Sequence, residues 1–216
     1  YHAALARGLS RDRAIGVINL GGVANVTYVP TDGDENGLVA FDCGPGNGLI
    51  DEWMELKTGR PMDEDGVLAR QGRVHAEVLR AMLQNPFLAR RPPKSLDRYD
   101  FRLDPVLALS VADGAATLTA YTAACVRACE PFLPEAAGEW IVCGGGRRNP
   151  AMMEALAKAL PATVRAAEEV GWRGDDLEAE CFAYLAVRSL KGRPLSFPKT
   201  TRVPRPMPGG VLYRSG

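Results

Sequence analysis

The hydrophobic and polar positions at the start of the chain predict strands first and a helix after them. Apolar and β-branched residues dominate residues 14–20, 23–29 and 38–42, and short glycine-rich or polar turns separate these three runs. Strands joined by tight turns pair with their neighbours in sequence, so the pattern predicts a three-stranded antiparallel meander. An amphipathic helix is predicted over residues 49–58, directly after a loop rich in glycine.

The remainder of the chain has mainly helical patterns. A helical segment is predicted over residues 72–83, and a longer helix from an N-cap at Asp113 to about residue 129. A strand over residues 140–143 precedes a helix that Asn149 caps and Pro150 begins. A strand over residues 162–166 and a last helix, from Asp175 or Asp176 through residue 190, follow. The order predicts an α/β fold with a mixed sheet, in which a β meander is followed by helices and further strands.

Composition and charge exclude several classes of protein. The 216 residues contain 26 Lys and Arg against 26 Asp and Glu, so the balanced charge excludes a generally basic nucleic-acid binder. The longest uncharged stretch, residues 114–126, is too short and too polar to cross a membrane. Five cysteines, an odd number, and no secretory signal predict a reduced, cytoplasmic protein. The proline-rich residues 194–216 are expected to form a terminal tail.

Glycine is concentrated in turns that follow apolar runs, and the first turn contains Gly21 and Gly22. Asn19 and Asn25 add side-chain donors on either side of it. Backbone N–H groups that no side chain covers can approach an anion, so the turn is a candidate phosphate contact. A plain hairpin turn without a ligand is the alternative.

The second turn follows Asp42, which ends the third predicted strand and precedes a helix. A strand, a glycine-rich loop and a helix N-terminus in this order can aim backbone donors at one point. Asp42 could hold Mg²⁺ directly or through water, or orient a sugar hydroxyl. The alternative is a structural corner in which Asp42 caps a turn.

The third turn contains Gly144, Gly145 and Gly146, between a strand and the helix capped by Asn149. Three glycines leave a flat surface on which an adenine and a ribose can lie. The spacing matches neither the Walker A loop nor the dinucleotide fingerprint, and alone it is a weak signal. The three turns together indicate a nucleotide held between strand and helix edges.

Two further clusters have ordinary explanations. Cys125 and Cys129 lie four apart on one predicted helix, but neither histidine has the spacing to complete a metal site, so buried thiols are expected. Arg90, Arg91 and Lys94 could contact an anionic substrate, whereas the proline pair among them indicates a stiff connection between helices.

Several distinct motifs follow one another over nearly the whole chain: residues 18–27, residues 41–47 with Asp51, residues 92–95 with Phe101, residues 116–120, residues 143–146 with Asn149, and residues 176–186. Jointly they resemble the anhydro-N-acetylmuramic acid kinase family. The resemblance implies an actin-like ATPase (ribonuclease H-like) lobe that uses ATP and Mg²⁺. It also implies phosphorylation of 1,6-anhydro-N-acetylmuramic acid with hydrolytic opening of the anhydro ring, which gives N-acetylmuramic acid 6-phosphate for cell-wall recycling. The alternatives are another actin-fold sugar kinase and a non-catalytic nucleotide- or sugar-binding module.

The resemblance implies roles for individual residues. Phosphate binding falls on Asn19, Gly21, Gly22 and Asn25. The residues assigned to the cleft near the phosphates and the sugar are Asp42, Gly44, Gly46, Asn47 and Asp51, with Asp42 as the candidate Mg²⁺ contact, through water. Adenosine binding falls on Gly144, Gly145, Gly146 and Asn149. Glu178 matches a family glutamate at the sugar.

The chain also departs from the family's pattern. The family's first phosphate hairpin and the segment with its catalytic aspartate have no counterpart in these residues, and its Thr-Gly-Ala is replaced by Thr201, Arg202 and Val203. The resemblance therefore implies that residues 1–216 are the carboxyl-terminal nucleotide-binding lobe of a two-lobe kinase, without the amino-terminal lobe and inactive alone. The expected partners are ATP, an amino sugar and, for the full-length protein, a second copy of itself.

Overall fold

The computed structural model describes residues 1–9, 12–96 and 100–213, and its centre is one mixed β-sheet. The five strands of this sheet are β1 (Ile15–Leu20), β2 (Val23–Val29), β3 (Val39–Pro45), β4 (Glu139–Cys143) and β5 (Thr163–Ala166). Their order is β3-β2-β1-β4-β5. β1 pairs antiparallel with β2, and β2 with β3, whereas β4 runs parallel to both β1 and β5. The predicted meander and the mixed sheet are confirmed.

Helices fill the connections between and around the strands. They are α1 (His2–Ala6), α2 (Gly48–Thr58), α3 (Val67–Gln71), α4 (Ala76–Met82), α5 (Pro86–Ala89), α6 (Val111–Arg127), α7 (Pro150–Ala159), α8 (Leu177–Leu190) and α9 (Pro198–Thr201). Short 3-10 turns include Glu35–Gly37, Gly145–Arg148 and Ala167–Val170. No helix among the described residues is long and apolar enough to cross a membrane.

The helix predicted over residues 72–83 is wrong in its first part. Gly72 is extended, with φ −84° and ψ 170°, and the helix begins only at Ala76. A Cβ on Gly72 would lie 2.0 Å from the carbonyl oxygen of Ala112, so close packing against the start of α6 favours glycine at this break. The helical pattern of apolar residues continues across Gly72, but the helix itself does not.

The predicted N-cap of α6 is also wrong. Ser110 caps the helix, and its hydroxyl accepts a hydrogen bond from the backbone N–H of Asp113 at 3.1 Å. The predicted cap of α7 is confirmed, since the Asn149 side chain accepts from the N–H of Met152 at 3.2 Å and Pro150 follows at the first helical position. α8 begins after Asp176, as predicted.

The proline-rich tail is attached to the rest of the chain over its described part. It contains α9, and Ser196 and Met207 form an antiparallel bridge. The Ser189 hydroxyl donates to the carbonyl of Gly209 at 2.6 Å. Residues 214–216 of the predicted tail lie outside the described residues.

The two faces of the sheet are covered differently. Ile18, Leu20 and Phe41 belong to the main core, which α2, α6 and α7 complete. Ile15 and Val17, whose side chains point to the opposite face, pack in a smaller cluster with residues of α1 and the start of α8. The alternation continues to Asn19 on this second face, where a polar side chain follows two buried apolar ones. Because fewer residues cover this second face, a cavity lies next to the end of the sheet at Asn19.

Candidate functional site

The first two glycine turns are joined by backbone hydrogen bonds. The N–H groups of Gly46 and Gly48 donate to the carbonyl of Gly22, both at 3.0 Å, and the N–H of Asn47 donates to the carbonyl of Gly21 at 2.8 Å. Because these donors are already used, the second turn does not present them to a ligand as the sequence had suggested. Its role is to hold the hairpin turn in a fixed position.

The side chain of Asn47 brings the third turn into the same place. Its Nδ2 donates to the carbonyl of Leu20 at 3.2 Å. A Cβ on Gly146 would lie 2.9 Å from Asn47 Oδ1 and 2.7 Å from Leu20 Cβ, and one on Gly144 would lie 2.6 Å from the carbonyl oxygen of Leu20. Gly144 also has φ 76°, which favours glycine. The three turns therefore meet at one end of the sheet.

The strand registers explain this meeting. Asn19 in β1 stands opposite Asn25 across the hairpin and opposite Cys143 in β4. The turn after β1 and the turn after β4 therefore emerge side by side from the same edge of a parallel pair. A ligand at this edge can contact both turns.

Some of these glycines are required by the packing of the chain itself. A Cβ on Gly46 would lie 2.2 Å from the carbonyl oxygen of Gly21, and one on Gly44 would lie 2.7 Å from Cys125 Cβ. Both distances are far below ordinary contact between heavy atoms. Gly44 and Gly46 thus need no ligand to explain them.

Gly21, Gly22 and Gly145 are different. A Cβ on Gly22 would meet no atom within 4 Å, and the nearest atoms to one on Gly21 and one on Gly145 would be 3.7 Å and 4.0 Å away. None of the three has φ in the left-handed region. Neither packing among the described residues nor backbone conformation requires glycine here, and a bare backbone facing open space suits a closely approaching ligand.

A cavity of about 700 Å³ lies on the second face of the sheet, next to these turns. Its lining includes Asn19, Gly144 and Gly145 together with Glu178 in the first turn of α8. A carboxylate is favoured at a helix N-terminus, where the helix dipole is positive. Ten predicted site residues do not line this cavity: Gly21, Gly22, Asn25, Asp42, Gly44, Gly46, Asn47, Asp51, Gly146 and Asn149.

Asp42 is engaged in the fold. Its Oδ2 accepts from the N–H of Leu96 at 2.7 Å, and its own N–H donates to the carbonyl of Lys94 at 3.0 Å. β3 does not end at Asp42 but continues to Pro45, so the predicted strand end was wrong. These bonds attach residues 94–96 to the edge of β3 and support the structural alternative for Asp42.

The remaining polar candidates have ordinary environments. Asp51 is half-buried in the first turn of α2, and burial raises the pKa of its carboxyl. Cys125 and Cys129 are buried free thiols, as predicted, and burial raises the pKa of Cys125. Within the described parts of the chain, no group of three or more His, Cys, Asp or Glu is arranged to hold a metal ion.

The sequence did not single out Arg147, which organises the third turn. Its side chain is only 4% exposed and donates to the carbonyl of Gly144 at 2.9 Å and to Glu168 and Asp175, both at 2.7 Å. The carboxylates raise the pKa of Arg147, and hydrogen bonds from its guanidinium lower the pKa of Glu168 and Asp175. Arg147 thus ties the glycine turn to the segment that begins α8. The only sequence signal was a basic pair after the glycines.

Comparison with known proteins identifies the family of the chain. The family model for anhydro-N-acetylmuramic acid kinase matches residues 1–215. The protein of that name from Rhodospirillum rubrum is 53% identical over 213 residues, which cover 99% of this chain and 56% of the relative. The one from Nitrobacter winogradskyi is 54% identical over 215 residues, covering 99% and 58%. The chain therefore spans just over half the length of these relatives.

A solved structure supports the fold. A xyloylose kinase from Brucella ovis superposes with a TM-score of 0.51 and 14% identity, covering 95% of this chain and 45% of that one. At this identity the likeness concerns the fold alone, which is the predicted actin-like ATPase fold of sugar kinases. Together with the match over residues 1–215, it leads to one conclusion: the chain belongs to the anhydro-N-acetylmuramic acid kinase family.

Proposed function

We propose that this chain supplies the nucleotide-binding lobe of a cytoplasmic, ATP-dependent kinase of 1,6-anhydro-N-acetylmuramic acid. The reaction would open the anhydro ring with water and give N-acetylmuramic acid 6-phosphate for cell-wall recycling. One observation carries the nucleotide part: Gly21, Gly22 and Gly145 present bare backbone at the point where three turns meet. The names of the relatives support the choice of sugar.

The turns suit different parts of the nucleotide. The N–H groups around Gly21 and Gly22 would face the phosphates, since negative charge favours uncovered backbone donors. The flat surface at Gly145 would take the adenine and ribose, and the adjoining cavity of about 700 Å³ is large enough for a small-molecule ligand. Glu178 in the same cavity would accept hydrogen bonds from the sugar hydroxyls.

A protein ligand for Mg²⁺ is not assigned. Asp42, the residue expected to hold it, already accepts a hydrogen bond from the backbone of Leu96. Mg²⁺ in kinases usually keeps several waters and is held by phosphate oxygens together with one or two protein side chains. Phosphate oxygens of the nucleotide and water would supply most of its ligands in the proposed site.

The chemistry needs a general base to deprotonate the attacking water. The family resemblance assigns that base to an aspartate in a segment without a counterpart here. We therefore expect residues 1–216 to bind nucleotide without transferring phosphate by themselves. Product formation by the purified chain from ATP and 1,6-anhydro-N-acetylmuramic acid would contradict this part of the proposal.

Nucleotide binding is tested by amide hydrogen exchange with and without ATP and Mg²⁺. Exchange is expected to slow at residues 20–23 and 144–146. Gly145→Ala should weaken ATP binding by about tenfold, the equivalent of about 1.4 kcal/mol, because its methyl group occupies the ligand's surface. The matched control is Gly209→Ala, whose added Cβ would have an ordinary nearest contact of 3.5 Å. Unchanged exchange at both turns would refute the nucleotide site.

A further inference from the structure

A groove of about 780 Å³ adjoins the candidate nucleotide cavity at Thr200, which lines both. Four cationic side chains line it, from Arg90, Arg91, Lys94 and Arg202, together with three side-chain hydroxyls. No carboxylate is among its described lining residues. A groove with this composition carries a positive potential, and its low-dielectric walls strengthen that potential.

Nearby carboxylates neutralise little of the positive charge on the arginine side chains of the groove. The side chains of Arg91 and Arg202 make no hydrogen bond or ion pair with any described residue. Arg90 has one distant carboxylate contact, 3.9 Å from Asp100, and lies over the ring of Phe87 at 5.4 Å. Paired arginines elsewhere in this chain approach carboxylates much more closely, as Arg188 does with Glu35 at 2.8 Å. The groove therefore has unused capacity to bind an anion.

Lys94 adds a buried charge behind the groove. The residue is 8% exposed, and its ammonium group donates to the carbonyls of Phe87 and Leu88, both at 3.1 Å. The rings of Phe87 and Phe132 lie 4.6 Å and 5.1 Å from Nζ, and the described residues place no carboxylate in contact with it. Carbonyl dipoles and ring faces offset the charge only in part, so an anion nearby would gain from it.

The backbone of Arg202 offers a way to test the groove. Its φ of 58° and ψ of 19° place it in the left-handed region, at the C-cap of α9. Left-handed backbone is common at helix C-caps, where glycine is favoured over residues with a Cβ. The side chain of Arg202 lines the groove and makes no hydrogen bond or ion pair with the described residues.

We propose that this groove binds a phosphate group through Arg91 and Arg202, with Arg90 and Lys94 contributing charge. Guanidinium groups suit phosphate because their N–H pairs can bind two oxygens at once. The source is either free phosphate or a sugar phosphate. The proposal concerns a site distinct from the nucleotide cavity and does not rest on the kinase function.

Isothermal titration of the whole chain with inorganic phosphate and with N-acetylglucosamine 6-phosphate tests this proposal. Both probes are expected to bind, and added salt is expected to weaken both. Tighter binding of the sugar phosphate would identify the ester as the ligand, and equal binding would identify the phosphate group alone. Failure of both probes to bind would overturn the proposal.

The informative variant is Arg202→Gly, because it removes the cation and at the same time relieves the backbone. Phosphate affinity should fall at least about tenfold while the fold becomes no less stable. Asp65→Gly is the control for backbone relief, since Asp65 also has a left-handed φ of 53° and lies outside the groove. Arg205→Gln is the control for charge, as an exposed arginine of the same tail that does not line the groove.

Gly22→Ala separates the two proposed sites. It should leave phosphate binding in the groove unchanged even where it weakens ATP binding, because Gly22 belongs to the turn proposed for the nucleotide's phosphates and does not line the groove. Unaltered phosphate affinity in Arg202→Gly would overturn the proposal, as would an equal loss in Gly22→Ala or in Arg205→Gln.

Discussion

Gly145 and Gly146 are adjacent in one turn, yet alanine at the two positions should have opposite effects on stability. A Cβ on Gly146 would lie 2.7 Å from Leu20 Cβ and 2.9 Å from Asn47 Oδ1. Leu20 is fully buried on β1, in the middle of the sheet, so it cannot yield easily. At Gly145 the nearest atom would be 4.0 Å away, which is ordinary contact.

The expected magnitudes follow from these distances. Carbon atoms pack at about 3.5–4.0 Å, so Gly146→Ala requires a movement approaching about 1 Å, and such overpacking costs about 1–3 kcal/mol. Gly145→Ala should instead stabilise the fold by about 0.4–1 kcal/mol, because alanine restricts the unfolded chain. The two variants should therefore differ by about 1.4–4 kcal/mol in free energy of unfolding.

Urea denaturation followed by tryptophan fluorescence measures this difference. With a slope of about 2 kcal/mol per molar, the two midpoints should lie about 1 M apart, with the wild type between them. Gly209→Ala provides the reference for an alanine in ordinary contact. Equal midpoints for Gly145→Ala and Gly146→Ala, or a lower one for Gly145→Ala, would refute the distinction between a glycine in close packing and one beside open space.

Three further predictions concern a cap, an ion pair and a histidine. Asn149→Ala should lower the urea midpoint by the equivalent of about 1 kcal/mol, because the N–H of Met152 loses its acceptor, whereas Asn149→Ser should retain most of the stability. Hydrogen bonds from Arg188 lower the pKa of Glu35. The ion pair's contribution to stability is therefore complete above about pH 4.5 and is lost as the pH falls through the folded-state pKa of Glu35. Glu35→Gln should reduce the fall of the melting temperature with decreasing pH in this range. Burial lowers the pKa of His2 to about 4. Between about pH 6.5 and pH 4 the unfolded state therefore binds this proton and the folded state does not, so the free energy of unfolding should fall as the pH drops through this range. A pH dependence of stability that persists over this range in His2→Asn would contradict this assignment.

Local signals in the sequence were sufficient for much of the fold. The second strand matches its predicted residues, and the cap of α7 was identifiable because Asn149 and Pro150 are adjacent. The cap of α6 was misplaced because Ser110 and Asp113 are both good capping residues within one turn. Only the geometry shows that the Ser110 hydroxyl takes the role and that Asp113 is inside the helix.

The site was less accessible from sequence, since its decisive contacts join distant residues. Gly22 and Gly46 are both glycines in tight turns, but an added Cβ would meet no atom within 4 Å on Gly22, whereas on Gly46 it would lie 2.2 Å from the carbonyl oxygen of Gly21. The packing of one turn on another separates the two cases. Arg147 is similar: its burial depends on Glu168 and Asp175, far along the chain.

The parallel ladder between β1 and β4 has a consequence for the order of folding. The hairpin of β1 and β2 closes through neighbouring residues, whereas Asn19 and Cys143 pair across the long excursion that contains α2 to α6. Closing such a loop costs more chain entropy, and non-local pairing is slow. Because the third turn reaches the first across this ladder, the proposed nucleotide binding should appear at a late stage of folding, and its rate of appearance should report completion of the sheet.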